Sequence, residues 1–144
     1  MKRAVFILAL LLMVINIFFS GCLNHQTQGL IISSFKDFDV IDVFVQENYA
    51  YLTCDDGFRI IDIRNPYSPK YVGGLDIPGA YHLFICGDYA YVTCSTMSND
   101  SLQIINITNP LNPILISSII VDRADRVYVD EKFAYVTGGN NLKI

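Results

Sequence analysis

Three ionisable side chains could act together in this chain: Asp42, His82 and Arg126. They are separated by 40 and 44 residues, and each lies seven residues ahead of a recurring tyrosine-rich phrase. They therefore hold equivalent places in successive repeats. A carboxylate, an imidazole and a guanidinium at one level of a repeat protein could form the polar rim of a channel and bind a ligand there. The competing interpretation is that residues at the start of a strand are simply solvated.

Cysteine is the second residue type that could carry chemistry. Cys22 follows Ser-Gly near the N-terminus, and Cys54, Cys86 and Cys94 lie further along. Three cysteines beyond Cys22 cannot all pair with one another in an exported protein. Because no C-x-x-C or Cys/His ligand spacing is present, we predict no metal and no cofactor. We expect Cys54 and Cys94 to be small buried residues beside strand ends.

Catalytic and modification motifs give a mostly negative result. No nucleophile, base and orienting acid stand at the spacing of a catalytic motif, so we predict no catalytic residues and no enzyme activity. Asn99-Asp100-Ser101 fits the N-glycosylation sequon and lies in a loop, where it could be modified if the host glycosylates exported proteins. Asn106 opens a second sequon inside a predicted strand, where we do not expect modification.

The elements that position these residues are organised around a phrase that occurs three times. It reads YAYLT at Tyr49–Thr53, YAYVT at Tyr89–Thr93 and FAYVT at Phe133–Thr137. Spacings of 40 and 44 residues are typical of propellers and related repeat architectures. Since the tyrosines recur at every second residue of a strand, we expect them to pack between sheets. Sugar stacking on the same rings is the alternative.

Alignment on this phrase predicts four strands in each repeat and no helix after the N-terminal segment. Short runs rich in Val, Ile, Tyr and Phe alternate with Gly, Pro, Asn and Asp, as in an all-β protein. About three blades' worth of strands is present, and we predict four-stranded antiparallel blades of a β-propeller. The predicted first strands span residues 43–45, 83–85 and 127–129; the second strands are the phrase; the third strands span 58–63, 102–107 and 142–144; and the fourth strands span 71–75 and 114–119.

The third strands carry a family resemblance. Phe58-Arg59-Ile60-Ile61-Asp62 and Leu102-Gln103-Ile104-Ile105-Asn106 each follow the Tyr-Ala-Tyr phrase and precede Asn-Pro. In this arrangement the chain resembles the LVIVD repeat proteins over residues 31–144. The resemblance implies a β-propeller in an exported protein, and it implies no activity that could be assigned to a residue here.

The N-terminal residues predict export. Lys2-Arg3 precede an apolar run from Ala4 to Phe19, and small residues follow, as in a signal peptide spanning residues 1–21. Phe19-Ser20-Gly21-Cys22 resembles a lipobox, although leucine is usual in place of Phe19. We therefore predict a lipid on Cys22 and a tether over residues 22–30, with the repeats over 31–144. An ordinary signal peptide and an incidental Cys22 are the alternative.

Charge and repeat content restrict the class of function. With 10 basic and 14 acidic residues the net charge is −4, and the lack of a basic cluster disfavours nucleic acid as a partner. We predict a module that is anchored to the membrane through lipid, lies at the cell surface or envelope, and binds an unknown protein or carbohydrate or acts as a scaffold. The alternatives are part of an exported propeller enzyme whose active residues lie outside this chain, or a structural envelope protein.

The edges of the repeat region predict an incomplete propeller. Ile32-Ser33-Ser34 matches Ile116-Ser117-Ser118 and so reads as a fourth strand without its own first three, and Ile144 falls inside a third strand. Closed propellers typically have about 4 to 8 blades. We expect a piece of a longer propeller, or a short form that self-associates to close the ring.

Overall fold

The computed structural model describes residue 31, residues 33–34 and residues 36–144. This part of the chain contains β-strands and no helix, and so none of its segments is a helix that could cross a membrane. The strands are β1 (Val40–Gln46), β2 (Tyr49–Cys54), β3 (Gly57–Asp62), β4 (Lys70–Leu75), β5 (Ala80–Cys86), β6 (Tyr89–Ser95), β7 (Asp100–Asn106), β8 (Ile114–Ile120), β9 (Arg126–Val129), β10 (Ala134–Gly138) and β11 (Asn141–Lys143).

The strands form three antiparallel sheets in which each strand pairs with the next along the chain. The first sheet has the order β1-β2-β3-β4, the second β5-β6-β7-β8, and the third β9-β10-β11. This topology confirms the predicted all-β class and is consistent with incomplete propeller blades, because a blade is a four-stranded sheet of this kind. One sheet corresponds to one repeat.

The third hairpin differs from its prediction. The repeated phrase predicts that Phe133 opens a strand, but β10 begins one residue later, at Ala134. Asp130 is the physical reason, since its Oδ1 accepts hydrogen bonds from the backbone N–H groups of Lys132 and Phe133, both at 2.8 Å. A side chain that caps a turn in this way replaces the tight two-residue loop seen in the other repeats. In the second repeat, Gly87 supplies the positive φ of 56° that such a loop needs.

The predicted fourth strand before the first repeat is absent at the residues described there. Ser33 and Ser34 lie outside any strand, and the Ser33 hydroxyl donates a 2.5 Å hydrogen bond to the carbonyl of Pro66. An outer strand needs a neighbouring third strand of its own sheet to pair with, and β3 is already paired with β4. Residue 32 lies outside the described residues.

The sheets pack on one another through apolar faces. The larger core lies between the first and second sheets, and a second core lies between the second and third. Every residue of β3 is buried, so the third strand of the first sheet is covered on both faces. The first core includes Tyr51, Phe58 and Ile60 from the first sheet and Leu83, Ile85, Ala90 and Val92 from the second.

The inner strand of each sheet is its first one: β1, β5 and β9. Their aromatic side chains form a continuous row, with the rings of Phe44 and Phe84 at 5.3 Å and those of Phe84 and Tyr128 at 4.9 Å between centroids. Both pairs lie within the range at which aromatic rings attract one another. The repeated units are therefore joined along their first strands, which places the residues at the start of those strands side by side.

Candidate functional site

The structure places Asp42, His82 and Arg126 on the three inner strands. Asp42 is the third residue of β1 and His82 the third residue of β5, whereas Arg126 opens β9. The register of the first two strands shifts next to these residues. The sequence predicts all three just before the first strand. This is wrong for all three, because each inner strand begins earlier than predicted and includes the residue. We call the three residues the strand-start cluster.

Asp42 joins the first sheet to the second. Its Oδ2 accepts a 3.1 Å hydrogen bond from the backbone N–H of Leu83 and lies 3.5 Å from Nε2 of His82. The side chain is thus engaged by both the backbone and the imidazole of the neighbouring sheet.

His82 repeats this arrangement one sheet further on. Its Nδ1 accepts a hydrogen bond from the backbone N–H of Val127, at 3.4 Å. Because Nδ1 is the acceptor, the proton of the neutral imidazole is on Nε2, where it faces the carboxylate of Asp42. The lone pair on Nδ1, which a general base would need, is already taken up by the N–H of Val127. The same position in successive repeats therefore serves as a brace from each sheet to the next.

Arg126 is exposed at the third position of the cluster and acts on His82 through its charge. Burial lowers the pKa of His82 below its ordinary value of 6.5; the carboxylate of Asp42 opposes this shift and the charge of Arg126 adds to it. Asp125, next to Arg126, opposes it weakly. His82 is therefore neutral in the folded protein near neutral pH, as its acceptor role requires.

This depressed pKa predicts a pH dependence of stability. In the unfolded chain His82 binds a proton more readily than in the folded protein, so the free energy of unfolding should fall as the pH drops from above 6.5 towards the lower folded pKa. Urea denaturation at a series of pH values measures this. His82→Gln should lose that part of the dependence, and His25→Gln should retain it. Equal slopes for wild type and His82→Gln would contradict the assignment.

The threonine that ends the repeated phrase forms a second brace. The Thr53 hydroxyl donates to the carbonyl of Tyr81 at 2.7 Å, and the Thr93 hydroxyl donates to the carbonyl of Asp125 at 2.9 Å. Both threonines are fully buried. This role was not among the sequence predictions. The signal was present, since threonine ends all three copies of the phrase and a hydroxyl in a buried strand must find a partner.

A cavity opens at the same end of the molecule, between the second and third sheets. Its volume is about 470 Å³, and its lining includes Tyr81, Asp100, Arg123 and Asp125. Asp100 is fixed by the N–H of Arg123, which donates to its Oδ2 at 2.9 Å. The Tyr81 ring is half exposed. The cavity thus offers an aromatic face, carboxylates and a guanidinium within one space.

The three cysteines of the repeat region differ in burial. Cys54 and Cys94 are buried, as predicted, whereas Cys86 is half-buried, and all three are free thiols. Burial raises the pKa of the Cys54 thiol to about 11 and that of Cys94 to about 12. In the third repeat Gly138 takes this place, because a Cβ there would collide with the carbonyl oxygen of Arg123.

These thiols are expected to differ in reactivity. Only the thiolate is nucleophilic, so at about pH 8 a maleimide or iodoacetamide should modify Cys86 first and should reach Cys54 and Cys94 only when the protein unfolds. Peptide mass spectrometry after labelling with and without urea checks this order. Labelling of Cys94 at the rate of Cys86 in the native protein would contradict the packing.

Two further predicted sites have different outcomes. Asn99 is exposed in the loop between β6 and β7, where a glycan could be accommodated, and its modification stays a prediction. Cys22, the predicted lipid attachment site, lies outside the described residues. Among the residues described, no group of three or more His, Cys, Asp or Glu side chains is placed to hold a metal ion.

Comparison with known families agrees with the sheet boundaries. The sequence profile of the LVIVD repeat matches residues 39–76, 79–121 and 123–144. Each match contains one of the three sheets, and together they cover the whole of the β structure. No curated protein matches the chain.

Proposed function

The chain belongs to the LVIVD repeat family, and from that premise we propose that it is an exported scaffold that displays a ligand-binding surface, with no catalytic activity of its own. In this proposal the repeats form the display frame and the strand-start end carries the binding surface. A lipid on Cys22 attaches the frame to the membrane at the cell surface or envelope.

A single observation carries the scaffold role: the polar residues that recur between repeats are bonded from one sheet to the next. Asp42 and His82 accept from the backbone of the following sheet, and Thr53 and Thr93 donate to it. Bonds of this kind hold neighbouring sheets in a fixed register. A rigid frame keeps the groups at its surface in place for a ligand, which reduces the ordering cost of binding.

The cavity beside Arg123 supports a carbohydrate as the ligand in preference to a protein. Sugars bind through stacking of their apolar face on an aromatic ring and through hydrogen bonds to charged or polar side chains. Tyr81 offers the ring, and Asp125 and Arg123 offer the polar groups. A volume of about 470 Å³ lies within the usual range for small-molecule pockets.

The geometry of His82 favours binding over catalysis. A histidine beside an aspartate is a common catalytic pair, but there the second imidazole nitrogen is free to take a proton from the nucleophile. Here Nδ1 accepts from Val127 and Nε2 faces Asp42. Neither nitrogen is available to a substrate.

The ligand class can be tested on a glycan array with the full chain in detergent. We expect at least one glycan to bind, and Tyr81→Ala to weaken that binding by about tenfold or more because the stacking face is lost. Tyr67→Ala is the matched control, since Tyr67 is exposed in the turn between β3 and β4 and should not affect binding. An array without any bound glycan, or equal binding by Tyr81→Ala, would refute a carbohydrate ligand.

The anchoring can be tested separately by cell fractionation in a bacterium that processes lipoproteins. Cys22→Ser should move the protein from the membrane fraction to the soluble exported fraction, because the thiol that carries the lipid is gone. Cys86→Ser keeps Cys22 and should stay with the membrane. If both variants remain membrane-bound, the lipid on Cys22 is not the anchor.

A further inference from the structure

A cavity without an assigned role lies between the first and second sheets, at the opposite end of the inner strands from the strand-start cluster. Its volume is about 300 Å³, at the lower end of the range for small-molecule sites. Its lining includes the turn that joins β1 to β2, the turn that joins β5 to β6, and two tyrosines of the first copy of the phrase. Gln46 reaches from one sheet to the other, and its Nε2 donates to the carbonyl of Gly87 at 3.1 Å. We call this space the turn-end cavity.

The turn-end cavity is acidic. Glu47 and Asp88 line it and are exposed, and neither carboxylate forms a hydrogen bond or an ion pair with any residue that the structure describes. Arg64 interacts electrostatically with Tyr49, but its guanidinium is already engaged, because Nε donates to Oδ2 of Asp62 at 2.9 Å. Two unpaired carboxylates therefore face a space into which the described part of the chain sends no basic side chain.

Tyr51 brings a buried polar group to the same space. Its side chain lines the cavity and the residue is only 4% exposed, yet its hydroxyl has no hydrogen-bond partner among the described residues. The hydroxyl is not sealed in the core, since the side-chain polar atom that is sealed there without a partner is Oε1 of Gln103. It therefore opens onto the cavity. Burial raises the pKa of the Tyr51 hydroxyl, and Tyr49, Glu47 and Asp88 add to this shift through their charges, so both carboxylates act at the hydroxyl.

The two carboxylates are not needed to hold the sheets together. At the equivalent place between the second and third sheets, Gly87 replaces Glu47 and Lys132 replaces Asp88. Glu47 also has a φ of 54°, a left-handed conformation that strains a residue with a side chain. Gly87 meets the same requirement without strain, at a φ of 56°. Glycine would therefore serve the frame at least as well as Glu47, and the carboxylate is left for another role.

From these features we infer that the turn-end cavity binds a small alkylammonium ion. The carboxylates of Glu47 and Asp88 and the hydroxyl of Tyr51 accept hydrogen bonds from the ammonium group, and the ring of Tyr49 attracts its charge. The net charge of −4 favours the approach of a cation. Calcium fits less well, because it takes about 6 to 8 oxygen ligands and these side chains supply too few. The inference does not depend on the ligand proposed at the strand-start end.

The test is isothermal titration calorimetry of the full chain in detergent at low ionic strength, with putrescine as the probe. We expect putrescine to bind, and butanediol, which has the same carbon chain without the charges, not to bind. Glu47→Gly and Asp88→Asn should each weaken putrescine binding by about tenfold or more, because a charged hydrogen-bond partner is lost. Tyr51→Phe should weaken it by about threefold or more. Glu47→Gly should keep or raise the melting temperature, since glycine relieves the strained φ.

Glu131→Gln and Tyr91→Phe are the matched controls and should bind putrescine as wild type does. Glu131 is exposed in the third hairpin, and Tyr91 is the equivalent of Tyr51 in the second repeat.

Nα-acetyl-lysine amide, titrated in parallel, distinguishes a free amine from a lysine side chain of another protein. It should bind more weakly than putrescine, and tighter binding would overturn a small ligand. The inference would also be overturned by no binding of putrescine up to about 10 mM, by equal binding of butanediol, by unchanged binding in Glu47→Gly and Asp88→Asn, or by displacement of putrescine with an equal concentration of calcium chloride.

Discussion

Replacing Phe58 by alanine is expected to lower the free energy of unfolding by about 3–5 kcal/mol. Phe58 is fully buried at the first sheet's front face, and its ring lies 6.2 Å from that of Tyr51 with an interplanar angle of 16°. Truncation removes the ring from the core between the first two sheets and leaves a cavity that this core cannot fill. Small domains are stable by about 5–15 kcal/mol, so the variant should be close to unfolding.

Leu142→Ala is the matched control for this prediction. Leu142 occupies the same position in the third repeat but is 59% exposed, so its truncation should change the free energy of unfolding by less than about 1 kcal/mol. Urea denaturation followed by circular dichroism measures both variants. If the two substitutions cost the same, the sheets do not pack through their front faces as described.

Replacing Thr93 by valine is expected to cost about 1–3 kcal/mol although the shape of the side chain is kept. The Thr93 hydroxyl accepts from the N–H of His82 at 3.1 Å and donates to the carbonyl of Asp125 at 2.9 Å. Valine removes both bonds from a fully buried position, and the backbone groups of β5 and of the third sheet lose their partner. The loss should loosen the second sheet from the third.

Thr137→Val provides the comparison for the threonine brace. Thr137 ends the third copy of the phrase and is exposed, so valine there should change stability by less than about 0.5 kcal/mol. Thermal melting of the two variants in parallel gives the difference in their stability. A Thr93→Val protein as stable as Thr137→Val would show that the hydroxyl does not hold the sheets together.

The sheets were predictable because their signals are local and repeated. Strand β2 begins at Tyr49 and β6 at Tyr89, as the phrase indicates, and the Asn-Pro turns separate β3 from β4 and β7 from β8. Proline has no N–H for a ladder and fixes φ, so a turn at Pro66 or Pro110 follows from the residue itself. Because the pattern occurs three times, each strand assignment can also be checked against the equivalent strands of the other two repeats.

The braces could not be predicted in the same way because they join residues that lie between 28 and 45 positions apart in the chain. Repeat spacing indicates which residues share a level, but it does not indicate which atoms meet. The strand-start cluster was recognised from register, whereas the engagement of Asp42 and His82 by backbone N–H groups depends on how the sheets stack. Their replacement should therefore lower stability as well as any binding. Arg126 is the exposed member of the cluster. Arg126→Ala should therefore change ligand binding without lowering stability.

Arg59 shows why burial can escape a sequence pattern. It lies in the middle of the third strand's motif and is only 6% exposed. Its guanidinium is held by the carboxylates of Asp56 and Asp76, at 2.7 and 2.9 Å, and by the carbonyl of Leu75. A buried charge is tolerated only where such partners surround it. They come from the turn before β3 and from the end of β4, so the sequence alone does not bring them together.

The most direct test of the central claim, that recurring polar residues bond each sheet to the next, is amide hydrogen exchange at Val43, Leu83 and Val127. Leu83 and Val127 donate across to Asp42 and His82 of the preceding sheet, whereas Val43, their equivalent in the first sheet, donates to the side chain of Asp42 in its own strand. We predict that Leu83 and Val127 exchange at least about tenfold more slowly than Val43. Equal exchange at the three amides would contradict this claim.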